Sequence, residues 1–290
     1  HCIQGIKGSS VQISSIEQYI SDAYLDKVVM EHEPPKGQNV AIIGSGPAGL
    51  TVAVKLAQRG YNVTIFERME HLGGMMRYGI PDFRLPQSIL NRYTQKLREL
   101  GIHIRPNTTI GGALNLDILF RDGYDAIFIG SGVWRPRALG VKGESLGNCH
   151  FAVDYLQNPD CYDLGERVAV IGSGNSAMDV ARTAIRKGSR FVTVYARRNK
   201  VSASVKEFEY SQADGVVFEF GKSPVEITPE GPLMVDTSYD ENGNLVTEGA
   251  ELCPADSTIV AVSQVPKDKI VRTTTGDMGM APMVTALVSM

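Results

Sequence analysis

The chain has four cysteines, at positions 2, 149, 161 and 253, and no two stand close enough to form a C-x-x-C pair. That argues against any chemistry that needs a vicinal dithiol. Four isolated thiols instead fit a reducing, cytoplasmic setting. The five histidines show no metal-ligand spacing, so no metal site is expected. No apolar run approaches the roughly 20 residues that span a bilayer, and nothing near the start reads as a signal peptide. A net charge of −3 leaves no electrostatic footprint for nucleic acid. Low-complexity segments are absent. The chain opens on His1 rather than Met, so a fragment or a processed product is expected.

What is present is glycine: 30 in 290 residues, with 43% hydrophobic content, which fits an α/β enzyme of two domains. One fingerprint occurs twice and is the only internal repeat. Residues 40–68 read VAIIGSGPAGLTVAVKLAQRGYNVTIFER, and residues 168–198 read VAVIGSGNSAMDVARTAIRKGSRFVTVYARR. Each is an apolar strand, a glycine turn, a periodic helix and a second apolar strand. That is the β-α-β unit that holds a dinucleotide. Gly44 and Gly172 make the tight turns. Gly46 and Gly174 let backbone approach a pyrophosphate, and Gly49 and Ala177 let helix pack on strand. Pro47 and Ala48 in the first copy, and Asn175 and Ser176 in the second, open helices whose N-termini favour phosphate. Two units imply two dinucleotides and electron transfer between them.

The ends of the second strands differ. The first copy ends in Glu67, followed by Arg68; a carboxylate there accepts hydrogen bonds from ribose hydroxyls, which suits FAD or NAD. The second has Ala196 at that place, followed by Arg197 and Arg198. Guanidinium groups grip a 2′-phosphate, which suits NADP.

Along the chain, Ser14 and Glu17 read as a capping box opening an amphipathic helix, followed by a charged, Pro-rich linker. Residues 69–86 read as a loop and 87–100 as a helix ended by Gly101. Then IHIRP reads as a strand and turn, and residues 124–132 as a buried strand entering Ser131 and Gly132. FAVDYL reads as a short helix, SVKEFEYSQADG as a longer one, and VVFEF as a strand. Residues 222–254 form a polar excursion with DENGN as its hairpin signal. STIVAVSQ returns to a buried sheet.

This ordered set resembles the FAD- and NADPH-binding module of the glutamate synthase small subunit and related NADPH:iron–sulfur oxidoreductases. The runs that carry the resemblance are GSGPAGL with Glu67, GGMMRYGIPDFRLP, FIGSGVWRPRALGVKGE, GSGNSAMDVARTA and AVSQ, covering residues 1 to about 270. It implies that glycines 44, 46 and 49, with Glu67, hold FAD. Gly73, Gly74, Met75, Arg77 and Pro81 line the flavin, and Ser131 and Gly132 cross near the cofactors. Arg77 would face a phosphate or the flavin edge; the plainer reading is a surface salt bridge. Trp134 either shelters the cofactors or packs its loop. The turn from Gly172 through Ala177 takes NADPH, with Arg197 and Arg198 near its 2′-phosphate. Ser263 and Gln264 end a strand pointing at the nicotinamide. Asp179 is structural by default.

Two departures from the family matter. Its cysteine-rich domain is missing, and Cys2 stands alone at a cluster-ligand position; one cysteine cannot hold a cluster. The end of the chain is shorter than in the family. TTTGD followed by an apolar stretch matches the family's Gly-Asp and helix, which would bring Asp277 to FAD. Otherwise the tail is unrelated and part of the FAD site stays open.

The expectation is therefore an α/β protein with two Rossmann-like dinucleotide-binding domains, the NAD(P)-domain inserted in the FAD domain. Residues 1–36 form an N-terminal helix and linker, 37–148 the first part of the FAD domain, 149–263 the NAD(P)H domain, and 264–290 a shortened return to the FAD domain. The expected reaction is hydride transfer from NADPH, or NADH, to FAD, with no catalytic nucleophile or base. Electrons then pass to iron–sulfur centres in an N-terminal domain or in a large, glutamate synthase-type partner subunit. The rival readings are a nucleotide-binding fragment without turnover, a disulfide reductase-like flavoenzyme and a monooxygenase.

Overall fold

The computed structural model describes residues 2–239 and 245–265. Its first helices, α1 (Gln4–Lys7) and α2 (Ile13–Tyr24), bury no side chain. The expected capping box does not form. Helix α2 begins at Ile13 with Gln12 at its N-cap, so Ser14 already lies inside the first turn. A hydroxyl caps only from the non-helical residue before the helix.

The first core is built on β1 (Asn39–Ile43), α3 (Pro47–Gln58) and β2 (Asn62–Phe66). It continues through α4 (Met75–Tyr78), α5 (Gln87–Glu99), β3 (His103–Arg105), α6 (Leu116–Arg121) and β4 (Ala126–Ile129). Its four strands are all parallel, in the order β3-β2-β1-β4. Strand β1 is central, so its apolar residues are covered on both faces. Val40 and Ile42 pack with Ala53, Ala57 and Leu97 on one side, and Ala41 and Ile43 with Leu116 and Leu119 on the other. Strand β4 was expected to be buried. Among the described residues it is the sheet edge, partnered by β1 alone, and its residues are exposed or half-buried. Helix α6 was not foreseen: at six residues it is too short for periodicity to declare it. Its start is marked by Asn115, whose side chain accepts from Ile118 N at 3.0 Å.

The chain then crosses through β5 (Arg135–Pro136) into a second core. This comprises β6 (Cys149–Phe151), α7 (Ala152–Gln157), β7 (Arg167–Ile171), α8 (Asn175–Arg186), β8 (Phe191–Ala196), α9 (Val205–Ala213) and β9 (Val217–Phe220). Three antiparallel strands, β10 (Lys222–Thr228), β11 (Gly231–Tyr239) and β12 (Leu245–Leu252), form the polar excursion. Residues 240–244, the DENGN signal, lie outside the described residues, but Tyr239 pairs with Leu245 on either side of them. Strand β13 (Ser257–Val260) returns to the middle of a parallel sheet ordered β6-β13-β7-β8-β9. Parallel strands covered on both faces carry continuous apolar runs, which is why STIV and RVAVI were legible. Helix α8 is buried at every position from 177 to 184. Strand β6 hid in a three-residue run.

The last described strand, β14 (Gln264–Val265), pairs antiparallel with β5, Gln264 opposite Pro136. This corrects the expectation that Ser263 and Gln264 end a strand. Strand β13 stops at Val260, and Ser263 turns the chain at φ +116°, a conformation that a residue with a Cβ rarely adopts. Two parallel-sheet, Rossmann-like cores are thus joined by a narrow crossing. Among the described residues no helix is long and apolar enough to cross a membrane.

Candidate functional site: two glycine turns and a cleft beside the second

Gly44 follows β1 at φ +95°. A Cβ there would overlap the Gly130 carbonyl oxygen and stand 3.2 Å from Ser131 Cα, so the end of β4 lies directly against the turn. That brings Ser131 and Gly132 to it. On Gly49, a Cβ would overlap the Gly44 carbonyl and meet Ile42 Cγ2 at 3.3 Å. Gly46, the N-cap of α3, behaves differently: a Cβ would meet nothing within 4 Å. The turn therefore faces open space, with Pro47 and Ala48 opening the helix beside it.

Glu67, just past β2, is buried. Its Oε2 accepts from Ser45 N at 2.9 Å and Ser45 Oγ at 2.5 Å, and its Oε1 accepts from Met69 N at 2.9 Å. Each carboxylate oxygen has two acceptor positions, so Oε1 keeps one to offer. Ser45, which the sequence reading passed over, also accepts from Gly73 N through both its carbonyl and its hydroxyl. This draws the GGMMR loop onto the turn. Gly74, at φ +54°, has Gly46 Cα 2.8 Å from where its Cβ would be. Met75 opens α4, and Pro81 accepts from the amides of Arg84 and Leu85.

Arg77 departs from the plainer expectation of a surface salt bridge. Its guanidinium donates to Leu72 O at 2.7 Å, Gln87 Oε1 at 2.7 Å and Asn91 Oδ1 at 2.8 Å. It makes no salt bridge among the described residues; three neutral acceptors hold it, Leu72 in its own loop and Gln87 and Asn91 on α5. Burial lowers its pKa. Arg68 lies over the Trp134 ring at 4.4 Å, and Trp134 meets Tyr78 edge to face at 6.4 Å. Trp134 thus packs the mouth of the first turn.

The second turn repeats the first. Gly172 sits at φ +133°, where a Cβ would overlap the Ala261 carbonyl, and Gly174 is the N-cap of α8. Asn175 Oδ1 accepts from Ser204 N at 3.0 Å, tying the turn to the start of α9. Ala177 is fully buried, so this helix accommodates the methyl that Gly49 does not. Arg197 and Arg198 are both exposed just past β8, and neither forms an ion pair among the described residues.

Between the crossing and the second core lies a cleft of about 170 Å³, lined by Val133 and Pro136 from the crossing and by Ser176, Ala261, Ser263 and Gln264. It contains no candidate nucleophile–base pair. The Cys149 thiol is pushed up to about 11 by burial, so it is protonated at neutral pH. Among the described residues no three His, Cys, Asp or Glu side chains are grouped to hold a metal ion. Asp277 lies outside the described residues.

The structure adds one feature the sequence reading missed. Asp179 on α8 accepts from Arg84 Nη1 at 2.6 and 2.7 Å, and Arg84 Nε lies 3.1 Å from Glu207 of α9. The DFRLP run was quoted for the resemblance, but nothing local announces a partner 95 residues away.

The comparisons agree with this architecture. The family model described as pyridine nucleotide-disulphide oxidoreductase matches residues 5–118 and 38–281. The chain is 43% identical over 202 residues to the NADP(+)-dependent formate dehydrogenase subunit beta of Moorella thermoacetica, covering 67% of this chain and 28% of that protein. It is 30% identical over 292 residues to the glutamate synthase [NADPH] small chain of Escherichia coli, covering 90% of this chain and 62% of that one. It therefore spans less than two thirds of the length of these curated relatives. Among solved structures, Mycobacterium tuberculosis FprA in complex with NADPH superposes with a TM-score of 0.65 at 21% identity, covering 81% of this chain and 72% of that one. Two Rossmann-like cores, two glycine turns and a family match over most of its length agree: this chain belongs to the pyridine nucleotide-disulphide oxidoreductase family.

Proposed function

We propose that the chain oxidises NADPH, transferring its hydride to FAD, and that the electrons leave for iron–sulfur centres in an adjoining domain or a large partner subunit. The observation that carries this reading is the asymmetry of the two turns. One ends in a buried carboxylate with acceptor capacity left, the other in two exposed guanidinium groups that form no ion pair among the described residues.

The first turn fits FAD. Gly46 leaves the space a pyrophosphate needs, Ala48 and Gly49 present helix N-terminal amides, and Glu67 Oε1 offers an acceptor to a ribose. Gly74, Met75 and Pro81 line the approach; Arg77 and Arg68 act on it through the loop and through Trp134. Bound FAD supplies the capacity to accept a hydride and release electrons singly. The second turn fits NADPH, with Gly174, Asn175 and Ser176 at the pyrophosphate, Arg197 or Arg198 at the 2′-phosphate, and Gln264 beside the cleft. The protein's part is to hold the two rings together and exclude water. No side chain is required to move a proton.

The relatives' names support NADPH as the donor. Four thiols without a disulfide among the described residues support a reducing, cytoplasmic setting. A partner subunit as the electron acceptor is supported by the relatives' names, a formate dehydrogenase subunit beta and a glutamate synthase small chain. The test is anaerobic. The FAD-loaded chain should bleach near 450 nm on adding NADPH and then reduce a small artificial acceptor. A bound flavin that NADPH leaves oxidised, or a chain that takes up no FAD, overturns the reading in favour of a fragment without turnover.

A further inference from the structure

The loop that starts on the first glycine turn ends on the helix of the second. At one end, Gly73 N donates to Ser45, and Gly74 packs on Gly46. In the middle, Arg77 binds Gln87 and Asn91, and Asp82 Oδ1 accepts from Gln87 N at 2.8 Å, which fixes the loop to α5. At the other end, the next two residues reach the second core. The Arg84 guanidinium forks between two carboxylates, Nη1 donating to both oxygens of Asp179 and Nε pairing with Glu207. Phe83 lies under two guanidinium groups of α8, Arg182 at 4.8 Å and Arg186 at 4.2 Å. Those arginines are themselves held by Asp214 and Glu207.

Asp179 is buried, stands four residues after Asn175 on α8, and meets a cation from the other core. A buried carboxylate without its partner is costly, so this contact resists separation of the cores. A helix is rigid over that distance. Any shift of Arg84 therefore moves the turn at Gly174 relative to the turn at Gly46.

We infer that Arg84 and Phe83 are positioning residues that set the two dinucleotide turns at their working separation, so that the nicotinamide of one ligand meets the flavin of the other. The inference rests on the proposed hydride transfer. It predicts that loosening this bracket slows transfer without weakening either ligand, because Arg84 and Phe83 touch neither glycine turn.

The test is anaerobic stopped-flow reduction of the FAD-loaded chain at varied NADPH, in wild type, Arg84→Gln, Arg84→Lys and Phe83→Ala. The expected result for Arg84→Gln is a limiting rate at least tenfold lower, with unchanged FAD content and an NADPH affinity within threefold of wild type. Arg84→Lys should recover part of the rate, since one ammonium replaces the charge but not the fork. Phe83 is partly exposed, and Phe83→Ala should fold and lose roughly threefold. Hydrogen exchange without ligand gives a second readout: the amides of residues 84 and 85, bonded to Pro81 O, should exchange at least fivefold faster in Arg84→Gln. A limiting rate equal to wild type in the folded variants overturns the inference, as does exchange of that loop left unchanged. Loss of rate, FAD and NADPH affinity together would reduce the residues to a structural role, and also overturns it. If Arg84→Gln does not fold, Phe83→Ala decides by the same criteria. A wild type that NADPH does not bleach refutes the proposed function instead.

Discussion

Alanine at Gly49 and at Gly46 should have opposite signatures. Both changes add one methyl within the same turn. In an unobstructed helix, Gly→Ala stabilises by about 1 kcal/mol, because glycine loses more backbone freedom on folding. Gly49 sits in the first turns of α3, so propensity alone predicts a higher melting temperature. Packing predicts the reverse. The new Cβ would overlap the Gly44 carbonyl oxygen, with Gly44 C at 3.1 Å and Ile42 Cγ2 at 3.3 Å, where carbon contacts settle at about 3.5–4.0 Å. The obstacle is backbone, and Gly44 is itself wedged against Gly130, so neither side can yield cheaply. Overpacking of this kind costs about 1–3 kcal/mol. The net expectation is destabilisation of the ligand-free chain by up to about 2 kcal/mol, together with loss of FAD, since α3 would be pushed off the turn. At Gly46 the Cβ meets nothing, and φ −68° suits any residue. Gly46→Ala should leave the ligand-free chain as stable as wild type and still lose FAD, because the methyl fills the space proposed for the pyrophosphate. Urea unfolding of ligand-free protein and the flavin-to-protein absorbance ratio after reconstitution measure both arms. A Gly49→Ala variant more stable than wild type would refute the packing argument. A Gly46→Ala variant that keeps FAD would refute the placement of the phosphate.

Arg197→Ala or Arg198→Ala should weaken NADPH about ten- to a hundredfold, from about 1.5–3 kcal/mol per charge-assisted bond, and leave NADH nearly unchanged. Flavin reduction titrated with each donor checks this, and an unaltered NADPH/NADH ratio in both variants would mark the site as NAD-type. Glu67→Ala should release FAD and also destabilise the ligand-free chain by about 1–3 kcal/mol, since Ser45 N loses a buried acceptor; full stability without ligand would show that water replaces the carboxylate. Asp179 governs a pH dependence. Burial pushes its pKa from 3.8 up to about 6, against the opposing pull of Arg84, and Arg182 and Glu207 also face it. The folded state then holds the proton more tightly than the unfolded state. The associated stability is full below pH 3.8 and is lost as pH rises through about 6, at most about 3 kcal/mol for a shift of this size. Asp179→Asn should flatten that slope in unfolding measurements between pH 4 and 7, and an identical slope would place the titration elsewhere.

The two β-α-β units were legible because everything that specifies them is local. A buried parallel strand is a run of Val, Ile and Ala, and a tight turn needs Gly44 or Gly172 at positive φ. The chemistry at the end of the second strand lies in the next residue or two, as with Glu67 against Arg197 and Arg198. The polar excursion was legible for the same reason. Tertiary structure decided what depends on distant partners. The plainer reading of Arg77 was a surface salt bridge, but α5 supplies the neutral Gln87 and Asn91 to hold it, and no spacing rule pairs them. Ile127 and Phe128 read as buried because apolar runs usually are, yet among the described residues strand order put β4 at an edge. Asp179 looked like an acid near a helix N-terminus. Only the packing of the two cores brought Arg84 to it, across 95 residues, because the free energy of a buried ion pair depends on which surfaces meet, and that information resides in no single segment.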